Sequence, residues 1–526
     1  MNFPVLSLNP SVFLSNIKLD HKKALVLCLG IGFFVRLVPE LLAFPNPIGF
    51  DSIHYAVRMQ DGLILEHWSR FFTSSWLFYF VSVPLYSVFQ ADPFLILKIL
   101  VPLAYGLNVA GVYWFSQKNL KWTISMGVLA GVFFALQLAS LRISWDLFRN
   151  ILGMGILLFA LSYIKEVYSK KGFALFTLFS LLSVFAHEYA AVTLVFVVLG
   201  ILIWPIIKRQ ADQYSPRLLL GLIPALIIFS IGMFLRITNF KAPIQSNIIG
   251  TGDATSGNVG VFFIVNYLKI QTSVDSYSSY LNLVLNVGLL FALLFVPYIL
   301  LVLKGFFRTS VLDFWTLLVL IGSFSCLIIP IAAVQHWHRW MFMLVYPFTF
   351  YSINGLYRFY EKIKGIRFNF SWLSHRHVLA MVLVTFALGI GYLTTPILMN
   401  VVGDNFSVPS ATGTYFYIST APGVPYEDVE GVNLAMRWLD SNMDENSSVV
   451  LQHAYLFWGQ YGLDRSHRIF HFNLDVDLAV DTAFEEGFER VYFVWWNEPL
   501  GWYGVDVPEY FDSVEDFGRI SVYCYH

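Results

Sequence analysis

The chain has 526 residues, 57% of them hydrophobic and 13% charged, with a net charge of −1 and a mean hydropathy of +0.64. A soluble chain of this length would divide into several domains carrying about twice that share of charge. The near-zero balance averages two unlike halves and points to no nucleic-acid partner, and three scattered cysteines, Cys28, Cys326 and Cys524, form neither a disulfide framework nor a metal cluster.

Apolar runs long enough for a hydrocarbon core of about 30 Å recur along the first 400 residues. Spans are expected at 24–43, 94–115, 122–141, 150–166, 172–188, 189–207, 218–237, 282–303, 314–334, 340–357 and 378–396. The segment before the first span lacks the layout of a cleavable signal. Residues 70–90 are apolar but interrupted by serines and Pro84. If that stretch lies in the interface, loops such as 165–171 (Lys165, Lys170, Lys171) and 358–376 (Arg358, Lys362, Lys364, Arg367, Arg376) fall on one side. That side then holds over half of the 33 basic residues. The positive-inside rule makes it the cytoplasmic side. The expectation is eleven spans in the cell membrane, with the N-terminus cytoplasmic and the C-terminus outside.

On that topology the membrane domain is 1–399, with a long first outer loop at 44–93. Residues 400–526 contain twenty acidic residues, five arginines and no lysine. Helix and strand patterns alternate there: helix 429–442, strand 447–451, helix 454–461, strand 468–472, helix 478–486, strand 490–496. This predicts an extracytoplasmic α/β domain with a partly parallel sheet. Asn405 and Asn446 open glycosylation sequons on that side.

The outer loops hold the residues able to do chemistry. Asp51, His54 and Arg58 fall at i, i+3 and i+7, one face of a short helix. A carboxylate there could take a proton from a hydroxyl or an amide as general base, or simply be hydrated. Asp146 stands between Arg142 and Arg149 where a helix re-enters the membrane. Intrahelical pairing is one account of that trio, and an acid facing a cleft with arginines for a phosphate is the other. His187 and Glu188 occupy a hairpin with almost no loop and read as a relay, a substrate clamp, an acceptor-binding pair or a plain turn. His336, His338 and Arg339 form a cationic cluster framed by tryptophans, with Arg339 a candidate clamp for a lipid-linked phosphate. Lys98 and Arg36 lie near the outer ends of their spans. There is no nucleotide-type glycine loop and no metal-ligand spacing, so no cofactor is implied and a divalent metal is not indicated.

The order of these features resembles the GT-C superfamily of integral-membrane glycosyltransferases, such as protein O-mannosyltransferases and lipid A aminoarabinose transferases. It runs from Gly49-Phe50-Asp51 in a long first outer loop, through Ser144-Trp145-Asp146 in the second, to a histidine at the outer end of a later helix. The resemblance covers about the first 240 residues and implies a GT-C-type fold. It also implies a polyprenyl-phosphate-linked sugar donor, dolichyl or undecaprenyl, and an inverting transfer to a glycan, lipid or protein acceptor. Asp51 would take the place of the first-loop catalytic carboxylate and Asp146 that of the second-loop acid. Lys98, Arg149 or Arg339 would hold the donor phosphate.

The sequence also departs from that pattern. The second loop has a lone Asp146, Asp51 has no adjacent Glu, and Trp495-Trp496-Asn497-Glu498 only approximates an oligosaccharyltransferase motif. The alternatives are a metal-dependent oligosaccharyltransferase-like enzyme and a lipid or sugar transporter or flippase. A transporter would place its charges near the bilayer midplane, often within internal repeats.

Overall fold

The computed structural model describes residues 19–62, 71–72, 75–208, 216–237, 247–251, 277–328, 337–360, 374–396, 424–498 and 505–526. Helix α1 (His21–Leu42) starts where the Asp20 side chain accepts from the Lys23 N–H at 2.8 Å. Its 22 residues span about 33 Å, enough to cross a bilayer. A short α2 (Ser52–Gln60) follows, ended by Gly62 in the left-handed region (φ +81°). Next, α3 (Leu77–Phe89) has 13 residues, about 20 Å, too short to cross. The ambiguous stretch at 70–90 therefore contains an apolar helix of sub-membrane length.

Helix α4 (Pro93–Lys118) opens with proline at its first position and with Asp92 capping the Phe94 N–H. After it come α5 (Ile124–Ala135), α6 (Leu138–Asp146), α7 (Phe148–Ser162), α8 (Lys170–Ala186), α9 (Glu188–Ile207) and α10 (Pro216–Ile237). Then come α11 (Tyr277–Phe295), α12 (Ile299–Gly305), α13 (Ser310–Phe324), α14 (Trp337–Met343), α15 (Val345–Tyr360) and α16 (His375–Leu393). Among the described residues eight helical stretches are long and apolar enough to cross a membrane, with α5–α6 a ninth if the bent pair is one span. Helices α8 and α15 fall on expected spans but have 17 and 16 residues. Part of the expected span at 314–334, residues 329–334, lies outside the described residues.

The span expected at 122–141 is not one straight helix. It breaks between α5 and α6 with a bend of 61°. Gln137 sits at the break in extended backbone; its side-chain amide donates to Thr349 Oγ1 at 2.7 Å and accepts from the Tyr298 hydroxyl. A break frees carbonyls that lipid cannot solvate. Here Tyr105 donates to the Ala135 carbonyl at 2.9 Å, and Ser140 Oγ donates to that of Phe134. The bend is thus saturated by buried polar side chains. It delivers Arg142 and Asp146 at the end of a separate short helix.

The C-terminal residues form a sheet with helices α17 (Val429–Asn442), α18 (His453–Gly462) and α19 (Val476–Glu485). Its strands are β1 (Ile248–Gly250), β2 (Ser447–Gln452), β3 (Arg468–Phe472), β4 (Arg490–Trp496), β5 (Asp512–Phe517) and β6 (Ile520–Tyr525), in the order β1-β3-β2-β4-β6-β5. The first four neighbours pair in parallel and the last two pairings are antiparallel. The alternation read from sequence matches α17 to β4 closely; the β5–β6 hairpin was not anticipated. Nor was β1, which lies in the chain after α10. Trp495 and Trp496 are fully buried in β4, donating to the Val505 carbonyl and the Asp428 carboxylate. The pair is core of the sheet. Taken together, the chain is a polytopic helical membrane protein with a C-terminal α/β domain.

Candidate active site

Two chain segments meet at the site. One is the turn after α1. Gly49 adopts φ +89°, and a Cβ there would stand 2.1 Å from the Trp145 carbonyl oxygen and 3.1 Å from Asp146 Cβ. Only glycine permits both that backbone and that approach. The other segment is the end of α6. Asp51, two residues past Gly49, therefore lies beside Asp146.

Asp51 is the residue before α2, and its side chain makes no capping bond to that helix. Its carboxyl is half-buried and pushed up to about 6, first by burial and then by the Asp146 charge. The charges of Arg339, Arg149 and Arg142 oppose that shift, so all three lie within electrostatic reach of the carboxyl. Asp146 is buried and gripped by Arg142 through a forked pair of 2.7 and 3.3 Å. The Arg142 guanidinium also stands 5.4 Å over the Phe342 ring. That of Arg149 stands 5.9 Å over the Tyr55 ring and interacts electrostatically with Glu188. Arg149 lies in the first turn of α7, where its main-chain N–H donates to the Tyr55 hydroxyl at 3.4 Å.

The other residues singled out from sequence separate into distinct surroundings. His54 packs edge-on against Phe457 of α18, ring centroids 4.8 Å apart, and burial pushes its imidazole down to about 3, keeping it neutral. Arg58 lies 4.0 Å from Asp61 at the far end of α2. Lys98 directs its ammonium at the Asn46 carbonyl (2.7 Å), the Glu40 carbonyl (3.1 Å) and the Glu40 carboxylate (3.3 Å). Those three bonds use its three donors and tie α4 to the last turn of α1 and to the chain after it. His187 is the N-cap of α9, its Nδ1 accepting from the Tyr189 N–H at 3.2 Å. Glu188 lines an open groove with Phe71, Phe72, Phe185, Phe229 and Met233. His338 packs against Trp337 and Phe342, and His336 lies outside the described residues.

The sequence reading named Gly49 and Arg36 without giving either a role in the site. Arg36 is fully buried, 2.9 Å from the Glu40 carboxylate, and donates to the Ser144 carbonyl at 3.2 Å. It backs the α6 segment that carries Asp146.

The donor set of the described residues does not fit a divalent ion. Among the described residues no three His, Cys, Asp or Glu gather to hold a metal, and Asp146 is engaged by Arg142. The arrangement suits a different chemistry: a carboxylate near neutrality beside cations with forked donors, which can accept a proton while an anion is held alongside.

No family model matches the chain, and no curated protein matches it. Solved structures of an Archaeoglobus fulgidus oligosaccharyltransferase are similar to it. One, a complex with zinc and sulfate, has a TM-score of 0.49 at 13% identity, covering 89% of this chain and 67% of that one. Another, tethered to an acceptor peptide containing an NVT sequon, has a TM-score of 0.43 at 14% identity, covering 90% and 69%.

Proposed function

We propose that the chain is a membrane glycosyltransferase that moves a sugar from a lipid phosphate, of the polyprenyl type, to an acceptor at the face carrying the α/β domain. The observation that carries this reading is the meeting of Asp51 and Asp146 among Arg142, Arg149 and Arg339. Arg142 serves Asp146, and Arg149 and Arg339 are the cations that would balance Asp51 and an incoming phosphate.

In this reading Asp51 accepts the proton of an acceptor O–H or N–H as that atom bonds to the anomeric carbon. The bond from that carbon to the phosphate oxygen breaks, and the electron pair leaves on the lipid phosphate. Arg149 and Arg339 stabilise the charge that grows there, an electrostatic contribution made in the transition state. The configuration at the anomeric carbon inverts. Asp146, fixed by Arg142, holds the arginines in place and keeps the Asp51 carboxyl basic. The acceptor is a glycan, a lipid or a protein.

The test is transfer of label from a radiolabelled polyprenyl-phosphate hexose in membranes, comparing wild type with Asp51→Asn. Label reaching an acceptor only with wild type supports the reading. Equal transfer by both removes Asp51 as the base, and no transfer from any such donor overturns the transferase.

A further inference from the structure

The α/β domain touches the membrane domain at α2, the helix that follows Asp51. Along α2, His54 meets the ring of Phe457, and Asp61 at its end pairs with Arg465, just past α18. Beside them, Phe94 at the start of α4 packs on Tyr461 (centroids 5.0 Å) and Trp458 (6.1 Å), and the Tyr461 hydroxyl lies 3.4 Å from Asp92. A nine-residue helix is too short to be stable by itself, so its order comes from what it packs on. Gly49 anchors the approach to α2 on Trp145, and α18 anchors the middle and end of α2.

We propose that α18 is a splint for the Asp51 helix, with Phe457 and Arg465 acting as positioning residues through His54 and Asp61. This rests on the reading of Asp51 as the base. His54 suits the contact because its ring stays neutral and meets the Phe457 ring in a T-shaped arrangement. The ion pair adds direction at the rim, where it fixes the rotation of α2 about its axis more than its stability. A small tilt of α2 would swing Asp51 relative to Asp146, and a base displaced by about 1 Å loses on the order of a hundredfold in rate.

The experiment has one arm that does not depend on activity. Hydrogen exchange of the α2 amides is followed in the full-length protein in detergent, for wild type, Phe457→Ala and Phe457→Leu. Exchange in Phe457→Ala should rise by up to about tenfold, the worth of one aromatic contact, with Phe457→Leu between the two. In the transfer assay Phe457→Ala should lower kcat with KM for the lipid donor unchanged. Asp61→Arg should do the same, and combining it with Arg465→Asp should restore the rate. Unchanged exchange in Phe457→Ala, or no recovery on charge exchange, overturns the splint. If wild type transfers no sugar from a lipid phosphate, the functional reading falls, while the exchange data still decide the contact.

Discussion

Arg142 grips Asp146 with both arms of its guanidinium, one helical turn apart and closed to water. Two charges removed from solvent are tolerated only while paired, so taking away one partner strands the other. Arg142→Ala should destabilise the protein by about 3 kcal/mol. Arg142→Met combined with Asp146→Leu should recover most of that stability without recovering activity. Thermal unfolding in detergent, set beside the transfer assay, separates the two effects.

Gly49 leads to the second prediction. In Gly49→Ala the methyl group would meet the Trp145 carbonyl oxygen, and the backbone would still need φ +89°. The left-handed conformation alone costs a non-glycine residue about 1–2 kcal/mol. The turn should therefore shift, moving Asp51 from Asp146 and lowering transfer at least about tenfold. Gly62→Ala tests the conformation by itself, because nothing lies within 4 Å of a Cβ there. It should cost stability and spare most of the rate.

Asp51 makes the protein's stability and its activity run in opposite directions with pH. Its carboxyl titrates near 6 when folded and near the ordinary aspartate value of about 4 when unfolded, so the folded state binds the proton more tightly. The stability it contributes is complete below about pH 4 and is lost as pH rises through about 6. Asp51→Asn should exceed wild type in stability at pH 7.5 by on the order of 2 kcal/mol, trimmed by water reaching the half-buried side chain, with little difference at pH 4. Transfer by wild type should fall about tenfold per unit below pH 6, as the base is protonated. A wild-type rate flat from pH 5 to 7 would count against Asp51 as the base.

Gln137 is the point at which the bend can be loosened. Gln137→Leu leaves the hydroxyls of Thr349 and Tyr298 without the amide they share, at a cost of about 1–3 kcal/mol. Because α6 ends in Asp146, activity should drop alongside stability. Thr349→Val, which removes one partner but leaves Gln137 bonded to Tyr298, should have the smaller effect on both.

The sequence made some of this legible and hid the rest for physical reasons. Strands β2, β3 and β4 announce themselves because each is a short apolar run set between amphipathic helices. The nearness of Asp51 and Asp146 is legible as an order of loops, since each follows a membrane-spanning run on the same expected side. The break at Gln137 is hidden: a single amide in an apolar run hardly changes its hydropathy, and its partners Tyr298 and Thr349 lie far along the chain. His187 and Glu188 look like a relay because they are polar at a boundary; the histidine is the cap that a tight helix hairpin requires. Lys98 looks like a phosphate ligand until the carbonyls of Glu40 and Asn46 are seen, and a sequence does not display main-chain acceptors. Strand β1 has three residues, too few for any period to register.

That short strand settles a matter of parity. Asn247 and Thr251 bond to residues 220 positions later, at His467 and His471, so both stretches must stand on the same side of the bilayer. The Asp61–Arg465 pair requires the same of the first loop. The chain therefore crosses an even number of times between 62 and 247, and again between 251 and 424. With the bent pair counted as a crossing, the described helices of the first interval give an even number only if α8 crosses as well. Among the described helices the second is even only if α15 does. Seventeen and sixteen residues suffice if the bilayer thins around them. Asp61, β1 and the C-terminal sheet thus share one face of the bilayer.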